Sequence, residues 1–171
     1  MRTITLLGST GSIGTNTLDV VRQNRDRYRV YALAAGHNAD VLCSQILEFK
    51  PSVAILATEC ARERLIDRLY ASQLPAAEWP DLRIGPEALV EVAEAPEVDT
   101  LVSAIVGVTG LRATYRAVET GKRVGLANKE VLVSAGRIMM AAVAESGAEL
   151  IPVDSEHNGA HQCLRAGRRH E

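Results

Sequence analysis

Aromatic side chains are scarce in this sequence: Phe, Trp and Tyr make up 4% of 171 residues, with one Trp and one Phe. A core assembled on large rings is therefore excluded. The 47% of hydrophobic residues must pack mainly as Ala, Val, Leu and Ile, the usual filling between helices and a parallel sheet. Charge of one sign is missing too. Nineteen Lys and Arg face 21 Asp and Glu, so no broad basic field exists for nucleic acid or an anionic membrane, and any anion site must be local. A small-molecule partner fits better.

Cysteine is sparse and unpatterned. Cys43, Cys60 and Cys163 are odd in number and lack a C-x-x-C spacing, which argues against both a disulfide framework and a thiolate metal site. No long apolar run occurs: Met1-Arg2 leads at once into a short hydrophobic segment that ends in glycine, with neither a signal-peptide core nor a membrane-length stretch. The expectation is a soluble, cytoplasmic protein. Its length suits one ordinary domain with at most a short appendage.

What is present is an alternation of strand and helix patterns. Thr3 to Leu7 is β-rich and stops at Gly8, and a helical pattern with Leu18 and Val21 follows. Arg29 to Ala35 is a second strand, and Val41 to Phe49 has helical spacing. Val53 to Leu56 is a third strand before a helix over Glu59 to Tyr70. Residues 71–85, with Pro75, Trp79, Pro80 and Gly85, read as a loop with a weak strand at Leu82 to Ile84. A helix over Pro86 to Ala95 follows, then a strand at Thr100 to Ser103 and a helix at Leu111 to Glu119. The series ends with a strand at Val124 to Ala127, a helix at Val131 to Glu145 and a strand at Leu150 to Val153. This rhythm needs right-handed crossovers and predicts an α/β fold: a doubly wound, mostly parallel Rossmann-like sheet with helices on both faces.

The first turn carries chemistry. Gly8-Ser9-Thr10-Gly11-Ser12-Ile13-Gly14 has the spacing G-x-x-G-x-x-G, a variant of the dinucleotide fingerprint, and it sits between a strand and a helix as that fingerprint requires. Small residues let the backbone approach a pyrophosphate at the helix N-terminus, with Thr10 and Ser12 as further donors. A Walker loop is excluded because no Gly-Lys-Ser/Thr ending follows. At the end of the second strand stand Gly36-His37-Asn38, with no acid to accept from a ribose 2′-hydroxyl, and this favours the phosphorylated cofactor. The single Trp79 offers an intrinsic reporter of that binding.

Three further segments fall at strand ends. Ser103 to Gly110 follows the strand where a doubly wound sheet reverses its order and a crevice opens. Ala127-Asn128-Lys129-Glu130 brings polar groups to the same edge, where a lysine would neutralise a phosphate or polarise a carbonyl. Pro152-Val153-Asp154-Ser155-Glu156-His157-Asn158 places Asp154 and Glu156 two apart. On an extended backbone both carboxylates would share a face and suit Mg²⁺ or Mn²⁺. The competing explanation is a helix N-cap at Asp154 or Ser155, with His157 and His161 as neighbours on the helix.

Taken in order, Leu7 to Gly14, Ala35 to Asn38, Ala104 to Gly107, Leu126 to Glu130 and Pro152 to Asn158 resemble the 1-deoxy-D-xylulose 5-phosphate reductoisomerase family, the last two motifs most specifically. The resemblance implies an NADPH-dependent oxidoreductase and isomerase of isoprene biosynthesis, acting on a sugar phosphate and homodimeric in its full-length form. It implies NADPH contact by Thr10, Gly11, Ser12, Ile13, Gly36, His37, Asn38, Asn128 and Glu130, and substrate contact by Lys129, Ser155 and Glu156. Lys129 and Glu156 are then catalytic candidates, and Asp154 and Glu156 two ligands of a divalent cation, manganese or magnesium. Residues 1–151 are expected to form the cofactor-binding domain and 152–171 the start of a catalytic region.

Two departures accompany the resemblance. The family more often has a basic residue where His37 stands, and its members continue past Arg165 to Glu171 into a catalytic region with a third acidic ligand, a lid and a phosphate-binding set. Little or no turnover is expected of these 171 residues alone. Two other classes compete: a semialdehyde-dehydrogenase-type enzyme, which needs a catalytic cysteine near the nicotinamide, and a non-catalytic NADP(H)-binding module.

Overall fold

A computed structural model describes residues 1–167; positions 168–171, the end of the segment expected to open a catalytic region, lie outside the described residues. Among the described residues seven strands form one sheet: β1 (Arg2–Leu7), β2 (Tyr28–Ala34), β3 (Val53–Leu56), β4 (Asp81–Ile84), β5 (Thr100–Ser103), β6 (Arg123–Leu126) and β7 (Glu149–Pro152). Their order is β4-β3-β2-β1-β5-β6-β7, and every pairing is parallel. The chain thus winds outward from β1 in one direction, returns, and winds outward in the other. The point of reversal lies between β1 and β5, as the sequence pattern implies.

Among the described residues seven helices alternate with these strands: α1 (Ser12–Gln23), α2 (Ala39–Phe49), α3 (Glu59–Ala71), α4 (Gly85–Glu94), α5 (Leu111–Glu119), α6 (Glu130–Ser146) and α7 (Ser155–Ala166). Because side chains alternate along a strand, each strand feeds two cores. On β3, Val53 and Ile55 pack with α4, α5 and α6 residues such as Leu89, Val92, Ala117 and Met139. Ala54 and Leu56 pack on the other face with Leu18, Leu42, Ile46, Leu65 and Leu69 from α1, α2 and α3. Helices therefore cover both faces.

Strand limits shift by a residue from the sequence expectation where backbone bonding runs on past the strand. Ala35 donates to Ile55 O at 2.9 Å and Ala127 to Ser103 O at 3.0 Å just beyond the ends of β2 and β6. The 71–85 segment is more ordered than a loop. It holds a 3₁₀ turn at Ala76–Glu78, and β4 pairs with β3 along its whole length. A register shift between β1 and β2 pairs Ile4 with Val30 but Thr5 with Ala32. Tyr31 is the extra residue, so Tyr31 and Ala32 both lie against one core while Val30 and Leu33 serve the other.

The C-terminal third of the chain has two distinctive features. Helix α6 is interrupted at Ala135 (φ −137°, ψ 21°). Helix α7 rests on β7, where Arg165 Nη1 donates to Glu149 Oε1 at 2.8 Å and Arg123 Nε donates to Glu149 Oε2 at 2.6 Å.

These bonds, Arg165 first, hold the Glu149 carboxyl below its ordinary range. A depressed folded-state value contributes stability above the unfolded value and loses it as the pH falls through the folded one. Acidification below roughly pH 4 is expected to free α7 from β7 before the sheet opens, seen as faster hydrogen exchange of the α7 amides alone. A second expectation concerns Gly14, where an added Cβ would lie 2.6 Å from Ser9 Cα and overlap the Gly8 carbonyl. Gly14→Ala should cost about 1–3 kcal/mol, as overpacking of close-packed backbone does, in urea denaturation.

Candidate functional site

Parallel strands end at one rim, and there the helix N-termini gather. The β1–α1 turn is built for close approach. Gly8 adopts φ +89°, and a Cβ there would meet the Ala104 carbonyl oxygen of the β5–α5 loop at 2.5 Å. Only glycine lets these two loops touch across the point of reversal. Gly8 and Ser9 both donate to Ala34 O, at 2.9 and 2.8 Å, and the buried Gln45 side chain of α2 donates to Ser9 O at 2.8 Å.

Gly11 differs from its neighbours. It is the N-cap of α1, in extended conformation, with no side-chain cap, and a Cβ would have only an ordinary 3.5 Å contact with Gly8 O. Its own chain does not require glycine there; a ligand lying over the uncapped first turn would. The first-turn amides of a helix have no intrahelical acceptor, so those of Ser12, Ile13 and Gly14 face outward with a positive dipole end behind them.

The β5–α5 loop is held from two sides. Thr114 donates its hydroxyl proton to Gly110 O at 2.7 Å, so the Ser103 hydroxyl is the donor in their 2.8 Å contact. From β6, the nearly buried Asn128 donates through Nδ2 to the carbonyls of Ile105 and Gly107, while its Oδ1 accepts from Glu130 N at 3.0 Å. Asn128 was expected to contact a cofactor, and it lines the cleft. Its NH₂ group is committed to the loop and fixes Ile105, Val106 and Gly107 as one wall.

Opposite stands the start of α7. Asp154 is its N-cap and accepts from His157 N at 2.7 Å and contacts His157 Nδ1 at 2.8 Å. Ser155 donates to Glu156 Oε2 at 2.9 Å. The extended-strand argument for Asp154 and Glu156 is corrected here. β7 stops at Pro152 and Glu156 lies in the first turn of α7, because the Asp154 side chain caps the helix and turns the chain. The two carboxylates nevertheless line one cleft. Both are held below the usual carboxylate range, Asp154 chiefly by the His157 backbone N–H and Glu156 chiefly by its own backbone N–H and then Ser155.

That cleft has a volume of about 630 Å³ and is lined by Ile13 of α1, Ala104 to Val106, Ala127 to Glu130, and Asp154, Glu156 and His157. It gathers the first glycine turn, the lysine motif and the acidic motif in one space. Lys129 faces Glu130, Asp154 and Glu156 there, an acid-rich wall suited to a cation. Among the described residues no cluster of three or more His, Cys, Asp or Glu is placed to hold a metal. The two α7 carboxylates are thus an oxygen donor pair rather than a full coordination sphere.

The remaining candidates lie beside the cleft. Gly36 lines a smaller apolar cavity of about 140 Å³ with Ala34, Ile55, Leu56, Pro86 and Ile105. His37 is exposed, and Asn38 caps α2 by accepting from Val41 N at 3.1 Å. Sequence reasoning missed Gln45, whose helical apolar context gave no signal; Val106, within the second loop that the sequence placed at the crevice, is 85% exposed at the cleft wall. Trp79 precedes β4 at the opposite edge of the sheet and donates to Leu74 O at 2.9 Å, so it cannot report the cleft by contact. None of the three cysteines lines the cleft, which removes the geometry a thiol-dependent dehydrogenase needs.

The family model for 1-deoxy-D-xylulose 5-phosphate reductoisomerase matches residues 4–136. The chain belongs to this family. It is 64% identical over 169 residues to the 1-deoxy-D-xylulose 5-phosphate reductoisomerase of Solibacter usitatus, covering 99% of this chain and 43% of that relative. With the Ralstonia nicotianae protein of the same name it shares 51% identity over 164 residues, 96% of this chain and 41% of that one. The chain therefore spans about two fifths of the length of these curated relatives. Among solved structures, the Zymomonas mobilis reductoisomerase in complex with NADPH superposes with a TM-score of 0.87 at 43% identity, over 99% of this chain and 42% of that one. A reductoisomerase in complex with NADPH, fosmidomycin and magnesium gives a TM-score of 0.86 at 38% identity, over 95% and 39%. A Rossmann-like fold is shared with these reductoisomerases.

The Asn128 brace yields a direct expectation. Asn128→Ala leaves the Ile105 and Gly107 carbonyls without their donor and should cost about 1–3 kcal/mol of stability, the penalty of unsatisfied buried polar groups, measured by urea denaturation. Unchanged stability would show that the loop stands without it.

Proposed function

We propose that this chain is the NADPH-binding part of a reductoisomerase that converts 1-deoxy-D-xylulose 5-phosphate to 2-C-methyl-D-erythritol 4-phosphate in non-mevalonate isoprenoid biosynthesis. The supporting observation is the convergence of Ile13, the Asn128 to Glu130 motif, Asp154 and Glu156 on a single cleft. Family membership and the related structures with NADPH and magnesium support the same reading.

In this reading Thr10, Gly11, Ser12 and Ile13 carry the pyrophosphate on the uncapped start of α1. Gly36, His37 and Asn38 border the adenosine ribose. Asn128 and Glu130 contact the cofactor from the β6–α6 turn, and Asn128 also braces the β5–α5 loop beside it. Lys129 sets a positive charge beside the sugar phosphate, and Ser155 and Glu156 orient its hydroxyl and carbonyl groups. Asp154 and Glu156 donate carboxylate oxygens to a divalent cation, Mn²⁺ or Mg²⁺, whose hard character matches them. Bound NADPH supplies a hydride, and the bound cation supplies Lewis acidity toward the substrate's oxygens.

Residues 1–151 then form the cofactor-binding unit and 152–171 the beginning of the catalytic region. With two carboxylates in place of a fuller ligand set, these residues alone bind NADPH with little or no turnover. The reading extends to a cytoplasmic enzyme that is homodimeric at full length. Free thiols at Cys43, Cys60 and Cys163 suit a reducing compartment, and no helix among the described residues is long and apolar enough to cross a membrane.

Calorimetry of the chain with NADPH and with NADH tests the cofactor assignment, and NADPH is expected to bind more tightly and to raise the melting temperature more. Mn²⁺ titrated into the NADPH-loaded chain should bind weakly, and Asp154→Ala should abolish that binding while leaving NADPH affinity within about twofold, less than half a kcal/mol. Equal response to both nucleotides would sink the cofactor assignment, and Mn²⁺ uptake unchanged in Asp154→Ala would sink the metal assignment.

A further inference from the structure

A second polar cleft, of about 530 Å³, opens beside the C-terminal end of β2. One wall holds His37 and Asp40 at the start of α2, and the other holds Arg64, Asp67 and Arg68 of α3. Arg64 and Arg68, four residues apart, share a helix face, but their situations differ. Arg68 Nε lies 2.6 Å from Asp40 Oδ1, and this pair neutralises the acid at the start of α2. Elsewhere on α3, Arg62 pairs with Glu59. Arg64 has no ion-pair partner among the described residues, so its guanidinium enters the cleft with its donors uncommitted.

The position of this cleft gives that free guanidinium a use. The strand that borders the adenosine ribose in a dinucleotide fold is β2, and it ends here in Gly36-His37-Asn38 with no carboxylate to accept from a 2′-hydroxyl. His37 is a cation only when protonated, whereas an arginine is charged at every physiological pH and its planar fork matches phosphate oxygens. Counted whole, the cleft is balanced: Arg64 and Arg68 face Asp40 and Asp67. Net field therefore does not hold a dianion there; directed hydrogen bonds must. The Arg68–Asp40 pair takes Asp40 out of opposition, and the N-terminus of α2 adds a favourable dipole.

We propose that Arg64, reaching from α3 toward His37, binds the 2′-phosphate of NADPH and is the specificity-determining residue for the phosphorylated cofactor. The proposal rests on the NADPH reading above and assigns its selectivity to a helix outside the glycine turn and the β2 end. Arg64 is exposed, so its replacement does not disturb the core.

Isothermal calorimetry with NADPH, NADH, adenosine 2′-monophosphate and adenosine 5′-monophosphate separates the contributions. Arg64→Leu should weaken NADPH and the 2′-monophosphate by about tenfold or more, the scale of a lost charge-assisted bond, and leave NADH and the 5′-monophosphate unchanged. Arg64→Lys should fall between, keeping the charge without the fork. Circular dichroism and melting curves verify that the variants fold. If Arg64→Leu keeps the wild-type ratio of NADPH to NADH affinity, this assignment is overturned and the NADPH reading stands. If the wild-type chain binds both nucleotides equally, or neither, the NADPH reading falls and this assignment with it.

Discussion

The arrangement depends on one near-contact of backbone against backbone. Gly8 sits so close to the Ala104 carbonyl that no side chain fits between the β1–α1 turn and the β5–α5 loop. These two connections leave adjacent strands in opposite directions around the sheet, and elsewhere such a divergence opens a gap. Here the gap is closed at its base and open above, so what remains is a walled cleft rather than a furrow. Two sides of the cleft take their position from that base: Ile13 through the helix the turn begins, and Ile105 and Val106 through the loop that Asn128 braces.

Ile105 lines both the large cleft and the small apolar cavity beside Gly36. The rim is thereby partitioned into a polar, acid-rich compartment at α7 and β6 and an apolar slot at β2 and β3. A ligand with a flat apolar end, a charged middle and a reactive polar end would find those environments in that order. The chemical variety comes from strand ends and not from the strands, whose side chains are nearly all committed to the two cores.

Much of this was legible in the sequence because the relevant signals are local. Alternation of short apolar runs with helical spacing predicted the seven strands and α1 to α6, while α7 entered only as the competing capping explanation for Asp154 and Ser155. Gly8 and Gly14 answer local backbone demands, and Gly11 completed the spacing that marked the turn. Tyr31 was not legible as an extra residue in β2, since a bulge depends on the neighbouring strand's register. Gln45 and Arg64 were missed for a related reason: both sit in helices whose pattern is satisfied without them, and their roles arise from what another element places opposite. Asp154 was read both as a ligand and as a cap. The structure makes it a cap whose carboxylate still faces the cleft, so the two descriptions were never exclusive. Trp79 was read as a reporter of binding, but it precedes β4 at the sheet edge away from the cleft, and distance across a sheet depends on strand order, which no local pattern states.

The interruption of α6 at Ala135 acquires a mechanical meaning from its location. The helix begins beside Lys129 at the cleft and ends with Met139 and Ala142 locked in the core. The first turn is seated as well, since Val131 is fully buried in the same core as Met139. A break between two anchored ends separates their directions: the turn beside Lys129 is aimed at the cleft, and the longer remainder follows the sheet it covers. The site and the core thus set the course of one helix independently.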